Sequence, residues 1–161
     1  MISIFHLKKA NPSNLLSSSL YDERNFYKGF TNDLRSAKHE VIIESPYLTV
    51  KRSHELAPLL RKLNKRNVYV RVNTREPRHH TRDLRNQALQ AIQILKGVGV
   101  RVYVCTDLRH RKLAAIDGTI LWEGSLNIFS QNNSREIMRR TVSASLCLQM
   151  MRFTGVKRKF W

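Results

Sequence analysis

The sequence predicts an α/β protein with a mixed β-sheet flanked by helices on both faces. Apolar residues at helical spacing alternate along the chain with short apolar runs that are typical of buried strands. An Asp-Gly pair then joins two further apolar runs, which is a strong signal for a β-hairpin. Strands joined through helices are parallel and hairpin strands are antiparallel, so the sheet is expected to contain both arrangements.

The individual elements are predicted in order from the spacing of apolar residues. Helical stripes are expected at residues 26–37, 56–63 and 84–95, and Ser53 is the predicted N-cap of the second helix. A strand is predicted after each helix, at residues 40–47, 68–72 and 100–104. Residues 137–161 are expected to add one more strand and a helix.

Length and composition favour a single domain. The chain has 161 residues, of which 42% are hydrophobic, and this is enough for one core. We expect residues 20–161 to form the domain and residues 1–19 to form an N-terminal arm or short extension. Cys105 and Cys147 lack a metal-binding spacing and are expected to be reduced, buried thiols. Because no segment resembles a signal peptide or a membrane span, we expect a cytoplasmic protein without stable membrane association.

The chain is strongly basic, and its charge is clustered. Twenty-nine Lys and Arg residues stand against 12 acidic residues, which gives a formal net charge of +17. Residues 51–85 alone hold eleven basic and three acidic side chains. A solvated face explains most charge runs, but so large an excess repels itself unless a polyanion binds, as phosphate backbones do with release of counterions. We therefore expect nucleic-acid binding, with predicted contacts from Lys51, Arg52, Arg75, Arg78, Arg82 and Arg111.

The hairpin brings polar side chains together near the middle of the chain. Its turn, Asp117-Gly118, requires a positive φ at both positions, and pairing of Ile116 with Thr119 would fix the register. Counting outward then places Ser125 opposite His110 and Glu123 opposite Lys112. The polar residues expected on one face are His110, Lys112, Ser125 and Asn127. Alternation along the strand directs Arg111 to the other face.

This set of groups suits the cleavage of a phosphodiester without a dedicated metal site. A neutral imidazole, here His110, can act as nucleophile or general base. Lys112 can hold a phosphate oxygen, and Ser125 and Asn127 can donate hydrogen bonds to charge that develops in the transition state. The alternative is a surface hairpin that carries basic and polar side chains on its solvent face.

The stretch resembles the HKD signature of the phospholipase D superfamily, in its small single-signature nuclease-type members. That signature reads His-x-Lys, four residues, Asp, and then a Gly-Ser-x-Asn element. It is filled without gaps by His110, Lys112, Asp117, Gly124, Ser125 and Asn127. Residues 133–138 are similar to the segment in which nuclease-type members carry a carboxylate that holds the catalytic histidine, here Glu136. Residues 42–48 resemble the first core strand of the same domain.

The resemblance implies a phospholipase D-like fold and a phosphodiesterase that needs neither metal nor cofactor. In the family, one histidine attacks phosphorus to give a phosphohistidine, and a second histidine protonates the leaving oxygen and then activates water. The chain carries one signature, so the resemblance implies a two-fold homodimer that brings two copies of His110 together. Lys112, Ser125 and Asn127 would bind the phosphate.

Three acidic residues around the signature have two interpretations each. Asp117 belongs to the signature, although turn chemistry alone explains an aspartate at that position. Glu136 either accepts a hydrogen bond from the catalytic histidine and fixes its tautomer, or is a surface carboxylate at a strand end. Glu123 either pairs with Lys112 and weakens phosphate binding, or is turned away by a bulge.

Three functions remain open from the sequence. The first is an endonuclease that cleaves nucleic acid, DNA in preference to RNA, at a site shared by two subunits. The second is a lipid phosphodiesterase or phosphatidyl transferase at an anionic membrane. The third is a nucleic-acid-binding module with weak or no turnover. Cleavage in EDTA favours the first, hydrolysis of vesicles the second, and salt-dependent binding without product the third.

Overall fold

The helical and strand-like apolar patterns fold into a sheet with helices packed against it. The computed structural model describes residues 17–130, 133–157 and 159. Its strands are β1 (Ser17–Asp22), β2 (Glu40–Glu44), β3 (Tyr69–Arg75), β4 (Arg101–Cys105), β5 (Leu113–Ile116), β6 (Ile120–Gly124) and β7 (Ile137–Val142). Its helices are α1 (Phe26–Ser36), α2 (Val50–Lys65), α3 (Arg82–Gly97) and α4 (Ala144–Thr154).

The sheet is mixed, as the sequence predicts. Within the described residues the strands lie side by side in the order β1-β7-β6-β5-β2-β3-β4. β2, β3 and β4 are parallel and are connected through α2 and α3. β5, β6 and β7 follow as antiparallel neighbours, and β5 joins the two halves by pairing antiparallel with β2.

Helices cover both faces of the sheet, which confirms the predicted architecture. On one face, α1, α2 and α3 bury the main core, in which Phe26, Phe30 and Trp122 are completely enclosed. On the other face, Met151 of α4 packs on Ile42 of β2 and neighbouring residues of β5. Each fully buried side chain of this size stabilises the fold by about 1.5–3 kcal/mol, so both layers contribute to stability.

The register of the hairpin differs by one residue from the predicted one. Asp117 and Gly118 have positive φ values of 50° and 63°, as the turn requires. However, Ile116 pairs with Ile120 and not with Thr119, so the loop holds three residues. The Thr119 carbonyl accepts a hydrogen bond from the Ser143 amide at 2.8 Å, which ties it to the start of α4. Because of this shift, the residues predicted to face each other across the hairpin do not pair. Glu123 lies opposite Leu113 and not opposite Lys112.

The start of α2 and the N-terminal segment also differ in detail from the expectation. α2 begins at Val50, and the Thr49 side chain accepts a hydrogen bond from the Arg52 amide as the N-cap. Ser53, the predicted cap, is instead a buried residue inside the helix. Residues 17–19 of the expected arm belong to β1, which pairs with β7. The rest of the arm, residues 1–16, lies outside the described residues.

Both cysteines are reduced thiols, as expected. Cys147 is buried in α4, whereas Cys105 at the end of β4 is only half-buried. Burial is the largest of the effects that raise the pKa of the Cys105 thiol. Across the described ranges of the chain, no helix combines the length and apolarity needed to cross a bilayer.

Candidate active site at one edge of the sheet

The polar segments of the signature meet at one edge of the sheet. The carboxyl end of β2 lies there, and the antiparallel β5 begins opposite it, since Glu44 pairs with Leu113. β6 ends at the same edge and β7 begins there, since Gly124 pairs with Met138. The segments that precede β5 and β7 and follow β6 therefore converge, and they carry the predicted residues His110, Lys112, Ser125, Asn127 and Glu136.

His110 is exposed at this edge and has two close neighbours. Its Nδ1 lies 2.6 Å from the Nζ of Lys112, which also donates a hydrogen bond to the His110 carbonyl at 2.8 Å. The Tyr47 ring meets the imidazole edge-on, with 5.6 Å between the ring centroids. The pKa of His110 is lowered by partial burial and by the positive charges of Lys112 and Arg75. The imidazole is therefore neutral over a wider pH range than a free histidine.

Glu136 acts on Lys112 rather than on the histidine. Partial burial lowers the pKa of Lys112, and the negative charge of Glu136 opposes this shift. The Glu136 carboxylate accepts a hydrogen bond from the Ser134 hydroxyl at 2.8 Å. Among the described residues, the Nδ1 atom of His110 contacts Lys112, and the expected hydrogen bond from His110 to Glu136 is not formed.

Backbone contacts hold Ser125 beside the start of β7, and Asn127 follows it by two residues. The Ser125 hydroxyl accepts a hydrogen bond from the Ile137 amide at 3.1 Å, and the Ser125 amide donates to the Ile137 carbonyl at 2.9 Å. Gly124 permits this approach, because a Cβ there would collide with the Ile137 carbonyl oxygen. The Oδ1 atom of Asn127 is buried without a hydrogen-bond partner among the described residues. An amide oxygen accepts hydrogen bonds and would repel a phosphate oxygen, so a phosphate contact from Asn127 would have to come from its amide nitrogen.

Asp117 lies at the opposite end of β5 from His110 and Lys112. Its carboxylate accepts hydrogen bonds from the amides of Lys38 and His39, both at 2.8 Å, and of Glu40 at 3.0 Å. These contacts tie the hairpin turn to the start of β2. They favour the structural interpretation of Asp117 over a direct catalytic one.

The shifted register separates Glu123 from Lys112. Glu123 lies opposite Leu113, and its carboxylate faces the side of the sheet that α4 covers, in a cavity lined by Leu121, Met150 and neighbouring residues. Lys112 is the residue before Leu113 and points to the other face. The geometry thus removes the pairing that would weaken phosphate binding.

Arg111 does not present its guanidinium to the site. As alternation predicts, it points to the opposite face, where its Nε donates to the Glu44 carboxylate at 2.6 Å. Arg109 binds the same carboxylate at 2.9 Å. The nucleic-acid contact predicted for Arg111 is therefore not supported, because a buried acidic partner already holds its side chain.

The other predicted nucleic-acid contacts lie at the start of α2 and from the end of β3 to the start of α3. Lys51 and Arg52 line a groove of about 460 Å³ between α2 and α3 that begins at Tyr47. Arg52 also pairs with Glu55 at 2.6 Å. Arg75 ends β3 close enough to His110 to affect its pKa. Two further cations, Arg78 and Arg82, are exposed around the loop between β3 and α3.

One residue of this loop joins the site although the sequence pattern does not single it out. The ring of His80 packs on Tyr47 with 4.9 Å between the ring centroids, and the same Tyr47 ring contacts His110. Its Nε2 atom and the Nε atom of Arg75 are both buried without a partner among the described residues. The His79-His80 pair is compatible with an ordinary polar surface, so only the contact with Tyr47 reveals this position.

The described residues contain no group of three or more His, Cys, Asp or Glu side chains arranged to hold a metal ion. The polar groups that converge at the edge are instead an imidazole, an ammonium group, a hydroxyl and an amide. Such groups can supply a nucleophile and hydrogen-bond donors to an anion.

Comparison with known proteins relates both the fold and the sequence to a described family. Residues 30–153 match the family described as "Cardiolipin synthase, PLD-like domain". No curated protein sequence matches the chain. Among solved structures, NucT from Helicobacter pylori aligns with a TM-score of 0.72 and 19% identity, covering 88% of this chain and 94% of that one.

Two further solved structures are also similar. Nuc from Salmonella typhimurium, described as a phospholipase D family member, aligns with a TM-score of 0.72 and 15% identity over 86% of this chain and 91% of its own. Phosphatidylserine synthase from Haemophilus influenzae aligns with a TM-score of 0.67 and 14% identity, covering 88% of this chain and 38% of that one. At these identities the structural matches establish a shared fold.

Proposed function

Because the chain belongs to the phospholipase D superfamily, we propose that it is a metal-independent phosphodiesterase that cleaves nucleic acid through His110. The observation that carries the proposal is the arrangement at the sheet edge, where Nζ of Lys112 lies 2.6 Å from Nδ1 of the exposed His110 ring. An imidazole with a lowered pKa next to a cation suits attack on an anionic ester.

The first chemical step is displacement at phosphorus. Nε2 of one His110 attacks, a P–N bond forms, and the P–O bond to the leaving oxygen breaks. The imidazolium of a second His110 gives its proton to that oxygen. A water molecule then attacks the phosphohistidine, gives its proton to the second ring, and releases the first ring with the product.

Lys112 must move for this step to occur. While the Lys112 ammonium group donates to Nδ1, the neutral ring carries its single N–H proton on Nε2. The ring cannot attack through Nε2 in that state. A phosphate oxygen offers Lys112 a charged acceptor, which a cation prefers to a neutral ring nitrogen. When Lys112 leaves, the N–H proton of the ring can move to Nδ1, which frees Nε2 for attack. Glu136 is the carboxylate on the same side of the site.

Two copies of His110 are needed, and the chain supplies one signature. We therefore place the site between two subunits related by a two-fold axis, in which the same edge of the sheet faces itself. The exposed position of His110 at that edge is compatible with the arrangement. A phosphate between the two rings favours the state in which one ring is neutral and the other is protonated. The neutral ring is then the nucleophile, and the protonated ring is the acid.

Nucleic acid is the favoured substrate because of charge. The net charge of +17 and the cations around the groove at Tyr47 match a polyanionic backbone better than a single headgroup. The resemblance to nuclease-type members favours DNA over RNA. The match to phosphatidylserine synthase supports a lipid phosphodiesterase or transferase as the second candidate.

The direct test is cleavage in EDTA. Single-stranded DNA, double-stranded DNA, RNA and anionic phospholipid vesicles are each incubated with the wild type and with His110→Ala. His39→Ala is the matched control, because His39 is also an exposed histidine but lies at the other end of β2. We expect cleavage of DNA that only His110→Ala abolishes. Hydrolysis of vesicles alone would support the lipid candidate, and equal activity of His110→Ala would contradict the proposal.

A subunit-mixing experiment tests the shared site. Wild type and His110→Ala are mixed in known ratios and allowed to exchange subunits, while sedimentation reports the oligomeric state. If each site needs both rings, activity falls with the square of the wild-type fraction, so that an equal mixture retains about one quarter. A linear fall, or a monomeric mass, would contradict the shared site.

A further inference from the structure

The catalytic segment lacks regular secondary structure of its own. Residues 106–112 run from the end of β4 to the start of β5 as neither helix nor strand. Regular ladders of hydrogen bonds therefore do not fix His110, although a nucleophile must be held within a few tenths of an ångström of its productive position. Side-chain contacts must supply this order.

A buried carboxylate supplies these contacts from the rear of the sheet. Glu44, the last residue of β2, has a side chain only 1% exposed, and both residues that flank His110 bind it. Arg109 donates to its Oε1 atom at 2.9 Å, and Arg111 donates to its Oε2 atom at 2.6 Å. Asn73 of β3 donates to Oε1 at 3.3 Å, which fixes the carboxylate in turn.

A second acidic residue strengthens the anchor at Arg109. Asp107 accepts two hydrogen bonds from one edge of the Arg109 guanidinium, from Nε at 2.6 Å and from Nη2 at 2.7 Å. This bidentate geometry, together with the contact to Glu44, leaves the Arg109 side chain only 17% exposed. Bidentate pairs of this kind define orientation as well as distance. The backbone on the N-terminal side of His110 is thereby attached to β2.

Residues 109–112 read Arg-His-Arg-Lys, and this alternation lets one segment hold both the anchoring arginines and the reactive histidine. In extended backbone, alternate side chains point to opposite sides, so both arginines reach Glu44 while His110 and Lys112 reach the site. The opposite wall of the imidazole is the Tyr47 ring, which comes from the segment directly after Glu44. Both sides of His110 are thus tied to the end of the same strand.

We propose that Glu44 is a positioning residue, which holds Arg109 and Arg111 behind the sheet and so fixes His110 against Tyr47 for its reaction. The proposal rests on the proposed role of His110 as the reacting group. Glu44 touches neither the site nor a substrate at that site. Its removal would leave two cations without their buried counter-ion, and they would turn toward solvent and carry the segment with them.

The chain offers a matched control for the loss of a buried carboxylate. Asp33 is also largely buried and binds an arginine in a bidentate manner, with Arg140 at 2.7 and 2.8 Å, and accepts a further bond from Trp122. These partners lie on β6 and β7 and not in residues 106–112. Glu44→Gln and Asp33→Asn therefore make the same chemical change, and only the first change reaches His110.

The experiment compares three readouts in both variants. Thermal unfolding reports stability, kcat and KM report catalysis, and a nuclear Overhauser contact between the ring protons of His110 and Tyr47 reports the position of the imidazole. We expect both variants to unfold at lower temperature. Only Glu44→Gln is expected to lose the ring contact and about a hundredfold in kcat, with KM within about twofold of the wild type.

The outcomes separate this proposal from the proposed function. Retention of the ring contact and of kcat in folded Glu44→Gln would overturn the positioning role, whatever the substrate. If Glu44→Gln loses the ring contact but His110→Ala keeps its activity, the result would instead contradict the proposed function alone. If Glu44→Gln does not fold, Arg111→Met removes one anchor at a lower cost in stability, because the Arg111 side chain is 35% exposed. The ring contact is then expected to weaken while the Arg109 anchor remains.

Discussion

The two ends of β5 carry two parts of one sequence signature, and their polar groups are bonded in different ways. At the site end, the Lys112 ammonium group contacts two uncharged acceptors of His110, the Nδ1 atom at 2.6 Å and the backbone carbonyl at 2.8 Å. At the turn end, Asp117 accepts three backbone hydrogen bonds at 2.8–3.0 Å. The cation at one end is held by uncharged acceptors, and the carboxylate at the other end is satisfied by three backbone donors.

This difference teaches that a residue of a signature takes its role from its bonding and not from its place in the pattern. A polar group that is already saturated has little to offer a substrate, but its loss strands the donors that it satisfied. A group with a weak or missing partner contributes little to stability and can bind a substrate at small cost. Stability and activity should therefore separate when the two ends are changed.

The largest expected effect is at the site end. Lys112→Met keeps the length of the side chain but removes the cation that would bind a phosphate oxygen. We expect kcat/KM for DNA to fall by about a hundredfold, the usual consequence of losing one donor to a developing charge. Steady-state kinetics in EDTA measure this effect. A variant with wild-type kcat/KM would show that Lys112 does not contact the reacting phosphate.

The same variant should change the titration of the histidine. The positive charge of Lys112 helps to lower the pKa of His110, so its removal raises that pKa. The neutral, nucleophilic form then appears only at higher pH, and the acid limb of the kcat/KM profile moves to higher pH. Titration of the His110 ring protons by NMR measures the shift directly. A downward shift would contradict the electrostatic assignment.

The smallest effect on catalysis is expected at the turn end. Asp117→Ala leaves the amides of Lys38, His39 and Glu40 without their acceptor and places an unfavourable residue at a φ of 50°. We expect a loss of about 2 kcal/mol in the free energy of unfolding, measured by urea denaturation. In the protein that remains folded, kcat should stay within about twofold of the wild type. A large fall in kcat with unchanged stability would assign Asp117 to catalysis.

The architecture could be predicted from the sequence because its signals are local. The apolar stripes of α1, α2 and α3 and the intervening strands follow from spacing alone, and the Asp-Gly turn indicates the antiparallel half of the sheet. The register of that hairpin could not be predicted. It depends on tertiary contacts, since Asp117 binds the start of β2 and Thr119 binds the start of α4.

The residues of the candidate site can be proposed from the sequence, but their contacts cannot. His110 and Lys112 follow from the signature, and strand alternation alone sends Arg111 to the rear. The acidic partner of Arg111 could not be identified, because Glu44 is 67 residues away in sequence. Likewise, the contact of His80 with Tyr47 joins two loops that no local pattern connects. Long-range pairing of polar side chains has no periodicity from which to infer it.

The measurement that tests the central claim most directly is the capture of the covalent intermediate. Wild-type protein is mixed with DNA in EDTA, quenched with base within the first turnover, and digested for mass spectrometry under conditions that preserve phosphohistidine. We predict an adduct of the phosphate-bearing product on the peptide that contains His110, and none in His110→Ala. Turnover of DNA without an adduct on His110, and with His110→Ala as active as the wild type, would contradict the account.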